Sequence, residues 1–330
     1  MTIQNTRTLI SVVVPAYNEQ TSVIECHARL TAVFAGIDVD YELLFVNDGS
    51  TDNTLSVLDS LRASDEHVSV VDLSRNFGKE IATTAGLDIA NGDAIIVIDA
   101  DLQDPPELIP AMIEEWRNGF DVVYATRTER RGESWLKKKT ASSFYGLMRR
   151  MSQVQLPRDT GDFRLLSRRA VLALRQLREH HRFMKGLFTW IGYPQKAIYY
   201  QRDARFSGET KWNYWRLWNF ALEGITSFTT APLRISTYVG LTTAVGAFVY
   251  GIYMIIRTLA YGNPVAGYPS LIVVVLFLGG VQLTAIGVLG EYLGRIFNET
   301  KNRPLYFLNS YKPGTARRAI SDENMPDRRS

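Results

Sequence analysis

Residues 94–101, AIIVIDAD, are the part of the sequence most diagnostic of the fold. Its apolar part, Ala94–Ile98, has the length and β-branched composition of a strand buried on both faces of a parallel sheet. Asp99 and Asp101 follow at i and i+2, so both carboxylates point to the same side, at the strand end where open α/β sheets bind ligands. Two such oxygen donors suit Mg²⁺ or Mn²⁺ carrying a diphosphate, although acidic pairs at strand ends also serve as turn formers or helix caps.

The sequence around this stretch alternates apolar runs with amphipathic segments. Predicted strands are Leu9–Val14, Tyr41–Val46, Val68–Leu73, Ala94–Ile98 and Val122–Ala125. Helical patterns lie between them at Gln20–Ala35, Asn53–Ala63, Lys79–Ala90 and Pro106–Asn118. This order predicts an α/β domain with a doubly wound, mostly parallel sheet.

Composition excludes several classes of function. The chain has 330 residues and a net charge of +3, which gives no indication of nucleic-acid binding. Cys26 is the only cysteine, so the chain cannot form an internal disulfide. The histidines show no spacing typical of a zinc site.

After Pro232 the chain changes character. Ile235–Ile256 has about 22 residues without a charge and Ser270–Gly290 about 21. Each is long enough to cross a bilayer core of about 30 Å, although a buried core helix can have the same composition. Basic residues such as Arg234 and Arg295 lie outside the pair, which predicts that the preceding α/β domain and both termini are cytoplasmic. Glycines of the second span permit close helix packing, either within one chain or between copies in a homo-oligomer.

The segment before these spans has a different pattern. Trp215, Trp218, Leu222 and Ile225 fall near one helical face, which indicates an amphipathic helix in the plane of the lipid headgroups or, alternatively, a helix packed on the soluble domain. We therefore divide the chain into an α/β domain (1–211), an interfacial helix (212–231), a membrane pair (232–310, with spans at about 235–257 and 270–294) and a disordered tail (311–330).

Polar residues converge on the carboxyl ends of the predicted strands. Pro15–Glu19 follows the first strand, Asn47–Asp52 follows the second, and Asp99–Pro106 follows the fourth. Each segment contains turn formers and has a structural explanation by itself. Together they place carboxylates along one sheet edge and indicate a binding site there.

These motifs resemble those of the inverting GT-A glycosyltransferases, whose fold is Rossmann-like. The resemblance is to the membrane-anchored polyprenyl-phosphate glycosyltransferases related to dolichol-phosphate mannose synthase, and most of all to bacterial enzymes that load glucose onto undecaprenyl phosphate. It extends over residues 9–310. Further matching stretches are Asp159–Arg164, Phe183–Leu187, Arg202–Trp212 around Gly208–Lys211, and Gly290–Arg295.

The resemblance implies roles for residues on the donor side. Pro15, Tyr17, Glu19 and Asp48 match the residues that hold the nucleotide of a UDP-sugar. Many relatives carry two aspartates where this chain has Asn47 and Asp48, which is a departure from the family pattern. Asp99, Asp101 and Gln103 match the ligands of a Mg²⁺ or Mn²⁺ ion that neutralises the departing diphosphate, and Asp101 is thereby also catalytic. Arg205 and Lys211 match a loop that closes over the diphosphate.

The resemblance also implies an acceptor side. Arg127, Lys139 and Ser142 or Ser143 match residues that receive the lipid phosphate. Asp162 matches the residue usually named as the catalytic base. However, a phosphate monoester has a second pKa of about 6 and needs little proton removal at neutral pH, so Asp162 could instead position the acceptor or the sugar.

The predicted function is inverting, metal-dependent transfer of a hexose, glucose from UDP-glucose, to undecaprenyl phosphate at the cytoplasmic face of a bacterial inner membrane. The predicted partners are therefore a nucleotide sugar, a polyprenyl phosphate and the membrane. An alternative is the transfer of another sugar, such as aminoarabinose, mannose or an N-acetylhexosamine. A second hypothesis is a processive polysaccharide synthase, but the Gln-x-x-Arg-Trp motif and the additional spans of those enzymes are missing from this sequence. A third hypothesis is a non-enzymatic nucleotide- or lipid-binding module.

Overall fold

The computed structural model of the chain describes residues 7–127, 160–180, 182–200, 231–261 and 267–316. These residues belong to two compact units. The first unit carries a sheet and its helices, and the second carries two long helices from the C-terminal part of the chain.

Among the described residues, one sheet of 8 strands forms the first unit. The strands are β1 (Leu9–Ala16), β2 (Asp40–Asn47), β3 (Val68–Leu73), β4 (Ala94–Val97), β5 (Val122–Arg127), β6 (Thr160–Ser167), β7 (Gln195–Tyr200) and β8 (Leu308–Lys312). Their order across the sheet is β7-β5-β6-β4-β1-β2-β3-β8. Strands β1 to β4 pair in parallel, as do β5 and β7, whereas β6 and β8 are antiparallel to their neighbours.

The helices of the first unit follow the strands along the chain. They are α1 (Ser22–Phe34), α2 (Thr54–Ser64), α3 (Lys79–Ile89), α4 (Ile109–Arg117), α5 (Arg168–Gln176) and α6 (Met184–Trp190). Strands β1, β3 and β4 are buried along their whole length, because they lie inside the sheet and are covered on both faces. The predicted α/β architecture with a mostly parallel sheet is confirmed.

Strand β6 enters between β4 and β5 and was not predicted. It pairs antiparallel to β4, with Val97 opposite Arg164. The same register carried two residues further sets Asp99, just beyond β4, opposite Asp162. Because the partners are distant along the chain, no local sequence pattern indicates this pairing.

Strand β8 corrects the predicted boundaries near the C-terminus. Residues 304–310, predicted to belong to the membrane pair, belong to the first unit, and the predicted disordered tail from residue 311 is wrong at its start, because Tyr311 and Lys312 lie in β8. The strand pairs with β3 and satisfies backbone groups that a free edge strand would expose. Side chains reinforce the pairing: Asn309 Nδ2 donates to Asp72 Oδ2 at 2.7 Å. Residues 317–330 of the predicted tail lie outside the described residues.

The second unit contains helices α7 (Ala231–Tyr261) and α8 (Tyr268–Thr300). Both are long and apolar enough to cross a membrane, over Ile235–Tyr261 and Phe277–Thr300. Each helix extends beyond the uncharged stretch predicted for it, and their apolar side chains are exposed to the surroundings. Residues 212–230 of the predicted interfacial helix lie outside the described part of the chain.

Candidate active site

A cleft of about 270 Å³ opens at the carboxyl ends of the parallel strands. It is lined by the ends of β1 and β2, the loop between β3 and α3, and the turn after β4. The lining residues are Pro15, Ala16, Tyr17, Glu19, Asp48, Asn76, Gly78, Lys79, Ala82, Asp99, Ala100 and Asp101. The structure thus brings together the predicted nucleotide residues and the aspartates predicted to bind metal.

The loops after β1 and β2 are joined by hydrogen bonds. Asn18, which has a left-handed φ of 55°, accepts from the backbone N–H of Thr51 at 2.8 Å through its side-chain oxygen. The backbone N–H of Glu19 donates to Thr54 Oγ1 at 2.9 Å. Tyr17 lines the cleft, and 44% of its surface is exposed, enough for a planar base to stack on it.

Asp48 has a structural role besides its position in the cleft. Its Oδ1 accepts from the backbone N–H of Phe77 at 2.7 Å and its Oδ2 from that of Gly78 at 2.9 Å. Burial raises the pKa of the Asp48 carboxyl above its usual value, and these two hydrogen bonds oppose the shift. Asp48 therefore fixes the loop after β3 against the end of β2.

That loop, residues 74–78, was missing from the predicted site. Gly49, with φ of +62°, lies so close to it that an added Cβ would be 2.4 Å from the carbonyl carbon of Arg75. The signal was present in the sequence, because the segment follows a parallel strand at its carboxyl end, as the three predicted loops do.

The departure at Asn47 has a physical explanation. Asn47 Nδ2 donates to Asp72 Oδ1 at 2.7 Å, and Asp72 is buried. An aspartate at position 47 would place two carboxylates together, whereas the amide supplies the missing donor. Asn47 thus belongs to the support of the loop, and Asp48 alone faces the cleft from this pair.

Asp99 and Asp101 lie directly after β4. Asp99 Oδ2 accepts from Lys79 Nζ at 2.7 Å, while Asp99 Oδ1 is buried and has no hydrogen-bond partner among the described residues. Burial raises the pKa of Asp99 to about 6, and the ammonium of Lys79 opposes that rise. Asp101 Oδ1 accepts from the backbone N–H of Gln103 at 3.2 Å, and the side chain of Gln103 does not line the cleft.

The donor set fits a hard divalent cation. A buried, unpartnered carboxylate oxygen on Asp99 and a second carboxylate at Asp101 are available on one side of the cleft. No group of three or more His, Cys, Asp or Glu side chains arranged for a metal occurs in the described residues. Mg²⁺ and Mn²⁺ sites at phosphates are commonly built from one or two carboxylates, with the substrate supplying further oxygens.

Asp162 lies near the start of β6 and faces two lysines. Its Oδ2 accepts from Lys79 Nζ, and Lys185 Nζ is 3.7 Å from its Oδ1. Burial alone would raise the pKa of Asp162, but Lys79 and Lys185 outweigh it and hold the pKa well below its usual range. We call Lys79, Asp99, Asp162 and Lys185 the charged cluster.

Neither lysine was assigned a role from the sequence. Lys79 is the first residue of α3, and Lys185 lies in the matching stretch Phe183–Leu187. Burial would lower the pKa of Lys79, but the carboxylates of Asp99 and Asp162 raise it well above its usual value. The signal that could have found these lysines is the need of two inward-facing aspartates for a counter-ion.

Two further charged side chains support the cluster from behind. Arg164 donates to the backbone oxygens of Asp162 at 3.2 Å and Gly161 at 2.9 Å, and its guanidinium lies 3.9 Å from the centre of the Phe188 ring. Glu80 accepts from the backbone N–H of Met184 at 3.2 Å. Burial, followed by the charge of Asp162, raises the pKa of Glu80 to about 7.

The predicted acceptor residues are only partly within the described chain. Arg127 ends β5, which runs in the same direction as β4, so its backbone lies at the edge of the sheet that carries Asp99. The other predicted contacts to the acceptor phosphate and to the diphosphate lie outside the described residues: Lys139, Ser142, Ser143, Arg205 and Lys211.

Comparison with known proteins gives two family matches. The model of the family "Glycosyl transferase family 2" matches residues 11–175, and that of the "GtrB C-terminal hairpin" matches residues 231–296. The chain is 51% identical over 300 residues to an uncharacterized glycosyltransferase of Synechocystis sp.. This alignment covers 91% of the chain and 94% of the relative. The chain is 49% identical over 305 residues to the bactoprenol glucosyl transferase of Shigella phage SfII, with 92% and 99% covered.

The solved structures that match the chain include two sugar-phosphoglycerate synthases. Glucosyl-3-phosphoglycerate synthase from Mycobacterium tuberculosis, in complex with Mn²⁺, UDP and phosphoglyceric acid, matches with a TM-score of 0.46 and 19% identity over 67% of this chain and 76% of that chain. Mannosyl-3-phosphoglycerate synthase from Rubrobacter xylanophilus matches with a TM-score of 0.45 and 18% identity over 66% and 71%.

Proposed function

The chain belongs to glycosyltransferase family 2, and we propose that it transfers glucose from UDP-glucose to undecaprenyl phosphate, with inversion at the sugar and with a divalent metal. The observation that carries this proposal is the position of Asp99. Its buried, unpartnered oxygen lies in the same cleft as Tyr17 and Asp48, so a nucleotide diphosphate and a cation can bind side by side.

The acceptor is proposed from the relatives and from the composition of the chain. Relatives about half identical over nearly the whole chain are named bactoprenol glucosyl transferases. Helices α7 and α8 are long and apolar enough to hold the protein in the membrane where such a lipid resides. The basic residues outside the helix pair support a cytoplasmic catalytic unit at a bacterial inner membrane.

Asp99 and Asp101 would hold Mg²⁺ or Mn²⁺, with Gln103 as a further proposed ligand. Bound there, the cation supplies Lewis-acid neutralisation of the departing diphosphate. Pro15, Tyr17, Glu19 and Asp48 would hold the nucleotide. The proposal that Arg205 and Lys211 close over the diphosphate concerns residues outside the described chain.

Transfer is a single displacement in this proposal. An oxygen of the lipid phosphate forms a bond to C1 of glucose while the bond from C1 to the diphosphate oxygen breaks, and UDP leaves with that electron pair. Attack from the face opposite the leaving group inverts the anomeric centre. Arg127, Lys139, Ser142 and Ser143 would orient the phosphate, and water exclusion would prevent hydrolysis of the donor.

Asp162 acts in this proposal as a fixed negative charge and not as a proton acceptor. Its low pKa, caused by Lys79 and Lys185, makes it a weak base. The phosphate acceptor, with a second pKa of about 6, is already mostly ionised at neutral pH. Asp162 would instead hold the two lysines at the edge of the cleft, where the reacting groups meet.

The test uses the full-length protein in lipid nanodiscs that contain undecaprenyl phosphate, with radiolabelled UDP-glucose and Mg²⁺ or Mn²⁺. We expect label in the lipid, with the inverted anomeric configuration by NMR of the product. Asp99→Asn should reduce transfer by about 100-fold or more, because the leaving group loses its counter-charge. Glu114→Gln, an exposed acidic residue on α4, is the matched control and should be unchanged.

Several results would contradict the proposal. Undiminished transfer in EDTA or in Asp99→Asn would show that the reaction does not need a metal at Asp99. Label released only as free glucose would show that the lipid phosphate is not the acceptor. A panel of UDP- and GDP-sugars decides the donor, and a preference for another sugar would replace glucose while leaving the reaction class in place.

A further inference from the structure

Lys79 is the cation that contacts Asp99 in the described part of the chain. Its Nζ lies 2.7 Å from Asp99 Oδ2 and also donates to Asp162 Oδ2. Lys185, the other lysine of the charged cluster, donates to the backbone oxygen of Thr160 at 3.1 Å and contacts only Asp162 of the two aspartates. One ammonium thus bridges the proposed metal ligand and the aspartate opposite it.

We propose that Lys79 is an internal counter-ion that competes with the divalent cation for Asp99, and that it thereby makes tight metal binding depend on the nucleotide diphosphate. This inference rests on the proposed function, because it takes Asp99 as a metal ligand. It assigns to Lys79 a positioning role, exerted through Asp99 and Asp162.

The competition follows from charge and space. A divalent cation bound at Asp99 would lie within a few ångströms of the Lys79 ammonium, and like charges at that distance repel each other strongly in a partly buried site. Metal binding to the protein alone must therefore move Lys79 away from Asp99. That displacement subtracts from the affinity for the metal.

The diphosphate changes this balance because it brings negative oxygens into the cleft that Lys79 itself lines. Those oxygens can bind the cation and also receive the displaced ammonium, so the repulsion is offset. The side chain of Lys79 has the freedom this requires, since 44% of it is exposed. Metal and UDP should thus bind cooperatively, and by linkage each should tighten the other by the same factor.

The test measures Mn²⁺ affinity of the full-length protein from the EPR signal of free Mn²⁺, with and without UDP. Lys79→Met removes the charge and keeps the chain length. We expect it to tighten Mn²⁺ binding without UDP by about tenfold, the size of shift that one close charge produces, and to reduce the cooperativity with UDP by the same factor. Lys79→Arg should keep the wild-type cooperativity.

Lys185→Met is the matched control. It removes a positive charge from the same cluster, but from a lysine that contacts Asp162 and not Asp99. If the loss of any positive charge in the cluster tightened Mn²⁺ binding, Lys185→Met would bind Mn²⁺ as tightly as Lys79→Met. We expect its Mn²⁺ affinity to change by less than about threefold, because the more distant charge is screened. If Lys79→Met melts early, Lys79→Gln keeps a hydrogen-bond donor without the charge and should give the same tightening.

The outcomes separate this inference from the proposed function. If Asp99→Asn abolishes Mn²⁺ binding but Lys79→Met and Lys79→Gln bind Mn²⁺ without UDP no more tightly than wild type, the competition is wrong and the metal site stands. Equal tightening in Lys185→Met would also overturn it. If Asp99→Asn leaves Mn²⁺ binding unchanged, the metal site of the proposed function fails, and this inference fails with it.

Discussion

The two sides of the cleft are held together in different ways. On one side, the loops after β1, β2 and β3 are joined by hydrogen bonds in which each acceptor already has its donor, as at Asp48 with Phe77 and Gly78. We call this side the hydrogen-bonded wall. On the other side, the charged cluster leaves Asp99 Oδ1 and Asp162 Oδ1 buried without a hydrogen-bond partner in the described residues.

This difference predicts how each side responds to substitution. The hydrogen-bonded wall is complete within the protein, so a change there alters the shape offered to a ligand. The charged cluster is balanced only in pairs, so the loss of one charge leaves another uncompensated, which costs more than a lost neutral hydrogen bond. The largest effects on transfer should therefore come from the cluster.

The first prediction concerns Asp162→Asn. We expect kcat for transfer to fall by about 100-fold, because Lys79 and Lys185 lose their shared partner. The ratio of variant to wild-type rate should be the same from pH 6 to pH 8.5, since the low pKa of Asp162 keeps it ionised throughout this range. Both rates should rise with pH near 6 as the acceptor phosphate ionises.

The measurement is kcat at saturating donor in buffers across this range, with Asp59→Asn as a control outside the cleft. Asp59 pairs with Lys312 at 2.7 Å on the surface, so its variant should transfer at the wild-type rate. A ratio of variant to wild-type rate that rises with pH would show that Asp162 accepts a proton, and the fixed-charge role would be wrong.

The loops after β1 and β2 and the position of Asp99 were predictable from the sequence, whereas the loop after β3 and the contacts within the charged cluster were not. Strands β1, β2 and β4 follow from local apolar runs, and parallel strands bring Tyr17, Asp48 and Asp99 to one edge. Asp162 reaches Asp99 only through the antiparallel entry of β6, a pairing between distant segments. Matching to a family placed Asp162 in the site, but it gave no role to Lys79 or Lys185.

Strand β8 shows the same limit at the other end of the sheet. The strand, Leu308–Lys312, is short and mostly polar, and no local sequence pattern distinguishes it from a disordered tail. The side chains of Asn309 and Lys312 bind Asp72 and Asp59, which lie more than two hundred residues earlier in the chain. The strand forms because the edge of β3 would otherwise be unpaired. That edge exists only in the assembled sheet, so the sequence of residues 308–312 does not indicate it.

The second prediction tests the wall through Asp48→Asn. The amide keeps one acceptor oxygen but presents an NH₂ group to a backbone N–H, so one of the two bonds to Phe77 and Gly78 is lost. We expect UDP affinity to weaken by about tenfold, with kcat at saturating donor nearly unchanged, because one unsatisfied buried donor costs about 1–3 kcal/mol.

Isothermal titration with UDP measures this effect, and Asp52→Asn is the control in the same loop. Asp52 uses a single oxygen, Oδ1, for both of its bonds to Thr54, and an asparagine can retain them. An Asp48→Asn protein with wild-type UDP affinity would show that the loop after β3 holds its shape without Asp48. The proposed importance of the hydrogen-bonded wall for nucleotide binding would then be wrong.

The third prediction, with the smallest expected effect, tests whether the charged cluster extends to Glu80. Glu80 lies behind it, and burial together with Asp162 raises its pKa from 4.5 in the unfolded chain to about 7 in the folded protein. A carboxyl whose pKa is raised by folding stabilises the protein below pH 4.5, and this contribution is lost as pH rises through 7. Glu80→Gln has no proton to lose and can still accept from Met184. Its free energy of unfolding should therefore rise relative to that of the wild type by about 1 kcal/mol between pH 6 and pH 7. Thermal melting of the two proteins at both pH values measures this difference, with Glu114→Gln, at an exposed position on α4, as the control.

If Glu80→Gln instead loses stability relative to wild type as pH rises, ionised Glu80 is a favourable partner of Lys79 and Lys185. The cluster would then be balanced by three carboxylates, and the contrast with the hydrogen-bonded wall would be weaker than the contacts indicate.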